Sequence, residues 1–271
     1  KKQLSMQKKI SNDELFFQEN GYLIKKIKDV KSLSYISNIF EKSLLKEIKL
    51  KHKKIQLNKL HKTISKTAVN SLRISLIKKI NKDNNFSLNY YNVAKNTLDF
   101  LVGNEVAMQK NINISIQTPK DKNSMLSMHS DIHAGESPFE VVAWLPLTDV
   151  EANSMSMFIT KPKFNKIINK TITNSKKNID EIYKKHKKKF KFIKIKLGEI
   201  LIFSPILLHG NTINETNTTR VSMNCRFKSL LSPYNVFSKT HRNMPHFFKP
   251  LIIKPMTRIG FNFIRKINEK K

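Results

Sequence analysis

The spacing of apolar residues divides the chain into a helical part and a strand-rich part. Between residues 31 and 102, apolar positions recur at helical spacing with few Gly or Pro interruptions, which predicts amphipathic helices. One set comprises Leu33, Ile36, Ile39, Phe40, Leu44, Leu45 and Ile48, and a second comprises Leu57, Leu60, Ile64, Val69, Leu72, Ile74 and Ile77. A further helix is predicted from Tyr90 to Leu101, ending near Gly103.

A short helix and a strand are predicted before residue 31. Ser11 precedes Asn12-Asp13-Glu14, which supplies a helix cap and acidic residues for the first turn. Asn20-Gly21 indicates the end of this helix, because Gly readily adopts the left-handed conformation of a C-terminal cap. Tyr22-Leu23-Ile24 then predicts a short strand.

Beyond residue 103 the pattern changes to the two-residue period of strands. Asn111–Gln117 alternates polar and apolar residues, which is typical of a half-buried strand. Residues 220–227 alternate as cleanly, and the polar face of that strand carries Arg220, Ser222, Asn224 and Arg226. Further strands are predicted at residues 127–131, 140–147, 154–159, 192–197 and 199–203.

Two segments depart from this pattern. Residues 163–191 are rich in lysine and predicted to be helical, and both a solvated insertion and a mobile lid over a site fit this segment. Residues 232–271 contain Pro233, Pro245, Pro250 and Pro255, which are expected to prevent long helices.

Many short strands after a helical third predict an α+β fold, a β-sandwich or jelly-roll with helices packed on one sheet. We expect a single domain over residues 1–271, with a mainly helical part at 1–103 and a jelly-roll core at 104–230. The core contains the lysine-rich insertion 161–191, and residues 231–271 form a C-terminal extension.

The charge is extreme, with 51 Lys and Arg against 20 Asp and Glu, a formal net charge of +31. Such a balance fits a polyanionic partner, either nucleic acid or a membrane surface. Lys, Asn and Ile are abundant together, however, and their A/T-rich codons explain much of the lysine. Arg, which reads base edges in nucleic acids, is rare beside Lys. A small-molecule substrate is therefore expected ahead of a nucleic-acid partner, although a basic nucleic-acid-associated protein stays an alternative. The charge should favour anionic substrates through the field around the site.

Cysteine and apolar content bear on the compartment. Cys225 is the one cysteine, so no intrachain disulfide can form, which fits a reducing cytoplasm. No apolar run approaches the ~20 residues of a membrane span. Residues 1–5 lack the apolar segment of a secretory signal. A cytoplasmic protein is expected, and the sequence does not predict its oligomeric state.

The candidate chemistry lies in His129-Ser130-Asp131. If this segment is a strand, the side chains of His129 and Asp131 point to the same face and could reach one ion. His209, in Leu-Leu-His-Gly-Asn, offers a third ligand, and Arg220 follows eleven residues later. Two histidines and a carboxylate leave half of an octahedron open, which suits a non-haem Fe(II) oxygenase. An Arg nearby offers two parallel donors to a carboxylate cosubstrate.

Each of these residues also has an ordinary structural interpretation. A surface His beside an N-capping Asp would explain His129 and Asp131, a core or capping His would explain His209, and a salt bridge would explain Arg220. His133 could compete as a ligand but is expected to orient a ligand or lie on the surface.

The pattern His129-Ser130-Asp131, His209 and Arg220 resembles that of Fe(II)/2-oxoglutarate dioxygenases, specifically the phytanoyl-CoA dioxygenase-like superfamily. Supporting matches are residues 17–24 and 198–203, and the resemblance spans residues 12–230, weakly in 31–100. A closer likeness is to the branch found in bacterial carbohydrate and aminoglycoside biosynthesis clusters, through residues 135–140, 144–147 and 219–227. One departure is Asn153-Ser154, where many relatives have Asn-Gly.

The resemblance implies a double-stranded β-helix (jelly-roll, cupin-like) core. It also implies iron held by His129, Asp131 and His209, with 2-oxoglutarate and O₂ as cosubstrates. Arg220 would bind the distal carboxylate of 2-oxoglutarate, assisted by the Ser222 hydroxyl. Candidates to line the cosubstrate pocket are Gln117 and Trp144, and candidates to face the substrate are Arg226 and Asn224.

The implied reaction is hydroxylation of a sugar, nucleotide sugar or related small metabolite in carbohydrate or secondary metabolism. Asp131 argues against a halogenase, because related halogenases replace this carboxylate by a small residue. Two alternatives remain open: a catalytically inactive jelly-roll protein that binds a carbohydrate or other small molecule, and an oxygenase of an acyl thioester.

Overall fold

The structure is a computed structural model that describes residues 10–49, 55–174, 178–232 and 247–268. Within these residues the helices are α1 (Asn12–Asn20), α2 (Val30–Glu47), α3 (Val69–Ile80), α4 (Phe86–Asn92), α5 (Lys95–Val102), α6 (Pro162–Asn174), α7 (Ile179–His186) and α8 (Pro255–Asn268). The strands are β1 (Tyr22–Lys26), β2 (Val106–Gln109), β3 (Asn113–Gln117), β4 (Glu140–Pro146), β5 (Met157–Thr160), β6 (Phe190–Phe192), β7 (Glu199–Phe203), β8 (His209–Asn211), β9 (Arg220–Ser229) and β10 (Phe248–Ile252).

The larger of two antiparallel sheets has seven strands in the order β1-β7-β4-β9-β2-β10, with β3 also paired to β9. Strand β9 is the organising strand. Along one edge it pairs first with β3, where Arg220 lies opposite Gln117, and then with β2, where Phe227 lies opposite Met108. Its other edge pairs with β4, where Asn224 lies opposite Trp144. This register puts Arg220, Ser222, Asn224 and Arg226 on one face of the sheet.

The two faces of this sheet pack against different elements of the protein. The outer face packs against the N-terminal helices in one apolar core, which includes Ile36, Phe40, Leu44, Leu76, Tyr90, Ile114, Ala143, Met223, Cys225 and Phe227. The inner face meets a three-stranded sheet, β6-β5-β8, through Trp144, Phe203, Met157 and their neighbours. The predicted mixture of helices and antiparallel sheet is confirmed, and the candidate site lies between the sheets.

The lysine-rich segment is helical, but the interpretation as a solvated insertion is wrong for its inner face. Helices α6 and α7 bury Ile168 and Ile182 against Phe158 of the smaller sheet and against Leu208, which directly precedes β8. Tyr183 stacks on Phe158 with ring centroids 4.3 Å apart. The amphipathic period of the two helices therefore gives the smaller sheet an outer layer, while the lysines face solvent.

Two predicted elements, a helix and a strand, have other boundaries in the structure. The helix expected from Tyr90 to Leu101 is broken between Asn92 and Lys95, where Ala94 leaves helical geometry at φ −119° and ψ 1°. Because of this break, Tyr90 and Tyr91 on one side of it and Leu98 on the other all reach the core. The strand expected at 192–197 ends at Phe192, and Ile195 makes an isolated bridge to Val150.

Pro255 does not prevent a long helix but begins one, α8. A Pro is accepted at the first helical position, because the N–H that it lacks has no partner within a helix. Pro250 lies in β10 beside a register shift, the kind of position at which strands tolerate Pro. Pro233, Pro245, His52, His241 and His246 lie outside the described residues. None of the described helices has both the length and the apolar content to cross a bilayer.

Candidate metal centre

His129 and His209 are brought together by their backbones. His129 donates its N–H to the carbonyl of His209 at 2.9 Å, and His209 donates to His129 at 2.8 Å. Residues that exchange both hydrogen bonds lie directly opposite each other in an antiparallel pair, and the two imidazole centroids are 4.3 Å apart. Gly210 permits this approach, because a Cβ there would lie 2.7 Å from the Leu126 carbonyl oxygen.

Each imidazole is fixed with the same nitrogen facing the site. The Nδ1 of His129 lies 2.9 Å from the Ser127 carbonyl oxygen, and the Nδ1 of His209 lies 2.9 Å from that of Leu207. A carbonyl only accepts, so each Nδ1 donates its proton, and in the neutral ring each Nε2 keeps a lone pair for an ion. The two histidines therefore hold the tautomer that a metal ligand needs.

Asp131 does not lie in a strand, contrary to the prediction for residues 127–131. It begins a 3₁₀ turn that ends at Ala134. The turn is tethered by Ser130, whose hydroxyl lies 2.9 Å from the carbonyl oxygen of Pro205 and 3.0 Å from that of Ile206. The two-residue spacing to His129 still converges, because Ser130 is extended before the turn begins.

The three side chains form a group with one potential ligand atom each, all within 4.8 Å of one another. Oδ1 of Asp131 lies 3.5 Å from Nε2 of His129 and 3.9 Å from Nε2 of His209. Neighbouring ligands on one ion at ordinary bond lengths lie about 3 Å apart, so a small contraction would complete a site. These donors suit Fe(II) and leave coordination positions open.

The protonation states of Asp131 and His209 also suit a cation, whereas the pKa of His129, which burial alone would lower, is raised by its hydrogen bond with Asp131, so a metal ion would displace a proton there. Burial alone would raise the pKa of Asp131, but the His129 hydrogen bond and the charges of His209 and Arg226 hold that pKa well below its usual value. Burial lowers the pKa of His209 to about 4. An ionised carboxylate beside a neutral imidazole is the form in which both groups bind metal.

Arg226 holds the other oxygen of the Asp131 carboxylate. Its Nη2 lies 2.9 Å from Oδ2 of Asp131, and its Nε lies 3.6 Å from Oε1 of Glu136. Gln109 accepts from the Arg226 Nη1 at 3.2 Å, which fixes the guanidinium from the other side. Asp131 is thus turned so that Oδ1 faces the two histidines.

Two further buried acids lie beside this arginine. Glu136 and Glu140 are almost fully buried, and Oε1 of Glu140 accepts from the Ser137 N–H at 3.0 Å. Burial and the neighbouring Glu136 carboxylate raise the pKa of Glu140 to about 8. Near neutral pH this acid therefore keeps its proton, and the buried cluster carries one negative charge fewer than its composition suggests.

Glu140→Gln should remove a pH dependence from the stability of the protein. The raised pKa of Glu140 gives a contribution to folding stability that is fully present below pH 4.5, the ordinary pKa of a Glu side chain, and is lost as pH rises through about 8. We expect the free energy of unfolding of Glu140→Gln to match that of the wild type at acidic pH. Above pH 8 it should exceed the wild-type value by on the order of a few kcal/mol.

Urea unfolding of the metal-free protein across this pH range would measure the effect. Glu151→Gln, at an exposed acid, is the matched control and should leave the wild-type pH profile unchanged. A Glu140→Gln difference that stays constant with pH would contradict the assignment.

A cleft of about 640 Å³ adjoins the centre, bordered by His209, Arg220, Trp144 and Asn224. Arg220 is 3% exposed, and burial lowers its pKa to about 10, so it remains charged at neutral pH. Its Nη1 donates to the Met155 carbonyl at 3.0 Å and its Nη2 to the Ser115 hydroxyl at 3.3 Å. Its guanidinium lies 5.7 Å from the centroid of the Trp144 ring.

No acidic side chain pairs with Arg220 among the described residues, so the structural salt bridge is not present in this part of the chain. Its Nε has no hydrogen-bond partner there either, and the same holds for the Ser222 hydroxyl, Asn224 Oδ1 and Gln117 Oε1. A buried cation beside unsatisfied polar atoms is costly unless a ligand completes it. The inner face of the sheet is therefore suited to an anion that accepts hydrogen bonds.

The other predicted site residues lie as follows. Ser222 and Gln117 share the sheet face of Arg220 but do not border the cleft, and Gln117 Nε2 donates to the Thr212 carbonyl at 2.6 Å. His133 is exposed and is not part of the metal group. The described residues of α6 and α7 do not border the cleft, so no contact supports the lid interpretation.

The sequence analysis missed the residues that support Asp131. Gln109, Glu136 and Glu140 were given no role, and Arg226 was expected to face the substrate, whereas its guanidinium binds Asp131. A signal was available in two features: Arg226 on the polar face of a strand, and Glu136 and Glu140 four residues apart in a segment without basic residues.

Neither a protein-family model nor a curated protein sequence matches the chain. Solved structures do match. ThoJ in complex with nickel, a non-heme monooxygenase, has a TM-score of 0.55 and 11% identity, over 89% of this chain and 84% of ThoJ. HygX from Streptomyces hygroscopicus, with nickel and 2-oxoglutarate bound, has a TM-score of 0.51 and 11% identity, over 83% of this chain and 89% of HygX. EctD from S. alaskensis has a TM-score of 0.50 and 13% identity, over 86% of this chain and 82% of EctD. At such identities the likeness concerns the fold.

Proposed function

We propose that the protein is an oxidoreductase, a non-haem Fe(II)- and 2-oxoglutarate-dependent dioxygenase. Its single domain would be a double-stranded β-helix of the phytanoyl-CoA dioxygenase-like type. It would hydroxylate a sugar, nucleotide sugar or related small metabolite in carbohydrate or secondary metabolism. One observation carries the proposal: a His-Asp-His group and a buried Arg220 without an acidic partner among the described residues adjoin the same cleft. The fold shared with HygX supports it.

The side chains divide the work of holding a metal. His129 and His209 each offer Nε2, because their Nδ1 protons are held by backbone carbonyls. Asp131 offers Oδ1, because Arg226 holds its Oδ2. Three ligands on one side leave the opposite side open for other molecules. The chemistry that Fe(II), 2-oxoglutarate and O₂ supply together is the oxidation of a C–H bond, with release of succinate and CO₂.

Arg220 is suited to the distal carboxylate of 2-oxoglutarate. Its unpartnered Nε is one donor, and rotation of the guanidinium away from Ser115 would free another for a two-point contact. Ser222 has a buried hydroxyl without a partner among the described residues, and it would add a hydrogen bond. Trp144 lies under the guanidinium and excludes water from that end of the cleft, which strengthens the ionic contact.

Substrate would enter on the side of the cleft that the helical part borders. Its border carries Lys66, Arg73 and Asn70 from the helical part and Asn224 from β9. Two cations at the entrance and a net charge of +31 favour an anionic metabolite, such as one that carries a phosphate. We assign Asn224 to substrate contact and Arg226 to positioning Asp131.

Anaerobic titration tests this proposal. Fe(II) and 2-oxoglutarate together should produce a visible charge-transfer band that neither produces alone, and admission of O₂ should yield succinate. Absence of both the band and succinate at saturating ligand would overturn the dioxygenase assignment. Tight sugar binding without metal uptake would instead identify an inactive binding protein. Acyl thioesters and sugar nucleotides should be compared as stimulants of succinate formation.

A further inference from the structure

Helix α8 presents an apolar face that the rest of the described protein leaves uncovered. Met256, Ile259 and Phe263 form one row along the helix, at the i, i+3, i+7 spacing of a single face. They are 73%, 60% and 65% exposed. From this row the apolar surface continues around the helix through Ile264, which is 55% exposed, to Phe261, which is 41% exposed. Single exposed apolar side chains are ordinary on soluble proteins, but a continuous helical face of them indicates a binding surface.

The start of the helix is attached to the body of the protein. The backbone N–H of Lys254 donates to Oε1 of Glu105 at 2.7 Å, and the Thr257 hydroxyl donates to Oε2 of the same carboxylate at 3.0 Å. Glu105 precedes β2, which pairs with β10 in the larger sheet. The apolar face is therefore held at the surface by a fixed end.

The other side of α8 is basic. Arg258, Asn262 and Arg265 lie at i, i+4 and i+7, in the sector of the helix that the apolar side chains leave. Residues 253–268 contain no Asp or Glu, and Lys254 and Lys266 add two more basic residues. An apolar face that includes Phe, backed by a cationic face, is the composition of helices that lie in the plane of a membrane interface.

We propose that α8 docks the protein on an anionic lipid surface. Met256, Ile259 and Phe263 would enter the boundary between headgroups and acyl chains, and Arg258 and Arg265 would lie at the level of the headgroup phosphates. The helix lies on the membrane and does not span it, in agreement with the lack of a spanning helix among the described residues.

Charge favours this occupant over a second copy of the chain. Two protomers joined through α8 would bring together surfaces that each carry basic residues on a chain of net charge +31, and like charges oppose such contact. Anionic lipid instead attracts each basic residue near its surface. This inference is independent of the proposed chemistry, since none of the α8 residues borders the cleft.

Vesicle co-sedimentation of the intact protein tests the proposal. The wild type should sediment with vesicles of phosphatidylcholine mixed with phosphatidylglycerol and far less with pure phosphatidylcholine. Phe263→Asp should weaken this binding by about tenfold or more, because it places a charge in the inserted row. Val30→Asp is the matched control, with the same charge change at an exposed apolar helix residue (64% exposed), and should weaken binding by less than about twofold.

Insertion has its own readout. Trp144, the one Trp of the sequence, is buried and gives a constant background, so Phe263→Trp reports the environment of α8. Its emission should shift to the blue on anionic vesicles. Failure of the wild type to bind them, equal losses in Phe263→Asp and Val30→Asp, or an unshifted emission would overturn the proposal. So would an oligomer that Phe263→Asp converts to monomer while vesicle binding persists, since the face would then belong to a second copy.

Discussion

Asp131→Asn should bind Fe(II) more than about 100-fold more weakly than the wild type and form no succinate above background. The amide keeps the shape of the side chain but removes the charge that draws the cation between the two histidines, whose ligand nitrogens lie 3.5 and 3.9 Å from Oδ1. Loss of a residue that only orients a ligand costs about 10–100-fold in affinity, and Asp131 is itself a ligand candidate. Fe(II) binding measured by anaerobic calorimetry, with succinate by chromatography, gives both quantities.

A control separates this effect from a general change in charge. Asp180→Asn, on the exposed first turn of α7, removes one acid away from the metal group and should leave Fe(II) affinity unchanged within about twofold. If Asp131→Asn keeps wild-type Fe(II) affinity and turnover, the His-Asp-His group is not the metal centre. Circular dichroism should show both variants folded, because the Asn side chain can still accept from Arg226.

The elements that the sequence predicted well are those set by local chemistry. The side chain of Ser11 caps α1 by accepting from the Glu14 N–H, and Gly21 ends it at φ 74°. Strand β9 likewise follows its alternation, since a one-residue slip would bury both arginines in the apolar core. In each case the residues that decide the structure are neighbours in the sequence.

The elements that were predicted poorly depend on packing between distant segments. The break before Lys95 and the burial of Ile168 and Ile182 are set by what the core and the smaller sheet require, which no local period reveals. The start of α8 at Pro255 was not predicted for another reason. Pro breaks a helix in its interior but is accepted as the first residue of a helix.

The candidate site shows the same division. The spacing of His129 and Asp131 predicts two candidate ligands that the structure brings together although the local structure is a turn, because two residues of separation suffice for convergence in either geometry. The approach of His209 to His129 depends on a pair of backbone hydrogen bonds between segments that are distant in the sequence. The role of Arg226 depends on where the Asp131 turn lies relative to β9, and this relation appears only in the folded chain.

Arg220→Met should raise the Kd for 2-oxoglutarate by about 30-fold or more, since removing a buried charged partner costs about 2–5 kcal/mol. The Kd of Arg220→Lys should lie between those of the wild type and Arg220→Met, because an ammonium keeps the charge but not the planar two-point geometry. Calorimetric titration of the anaerobic Fe(II)-loaded protein measures both. Arg258→Met, at the same loss of charge on α8, should leave the Kd within about twofold of the wild-type value.

Arg220→Met should change the stability of the ligand-free protein far less than it changes the affinity for 2-oxoglutarate. This difference separates a role of Arg220 in binding from a role in the fold. Without ligand, Arg220 is a buried cation whose Nε has no partner among the described residues, so its loss should change the Tm by less than about 3 °C. Ligand at about 100 times the wild-type Kd stabilises the wild type by about 2.7 kcal/mol, and the accompanying rise in Tm should shrink in Arg220→Met to the equivalent of about 0.9 kcal/mol or less. An unchanged Kd together with a large fall in Tm would mean that Arg220 serves the fold through its contacts with Met155 and Ser115, and the cleft would lose its assigned cosubstrate.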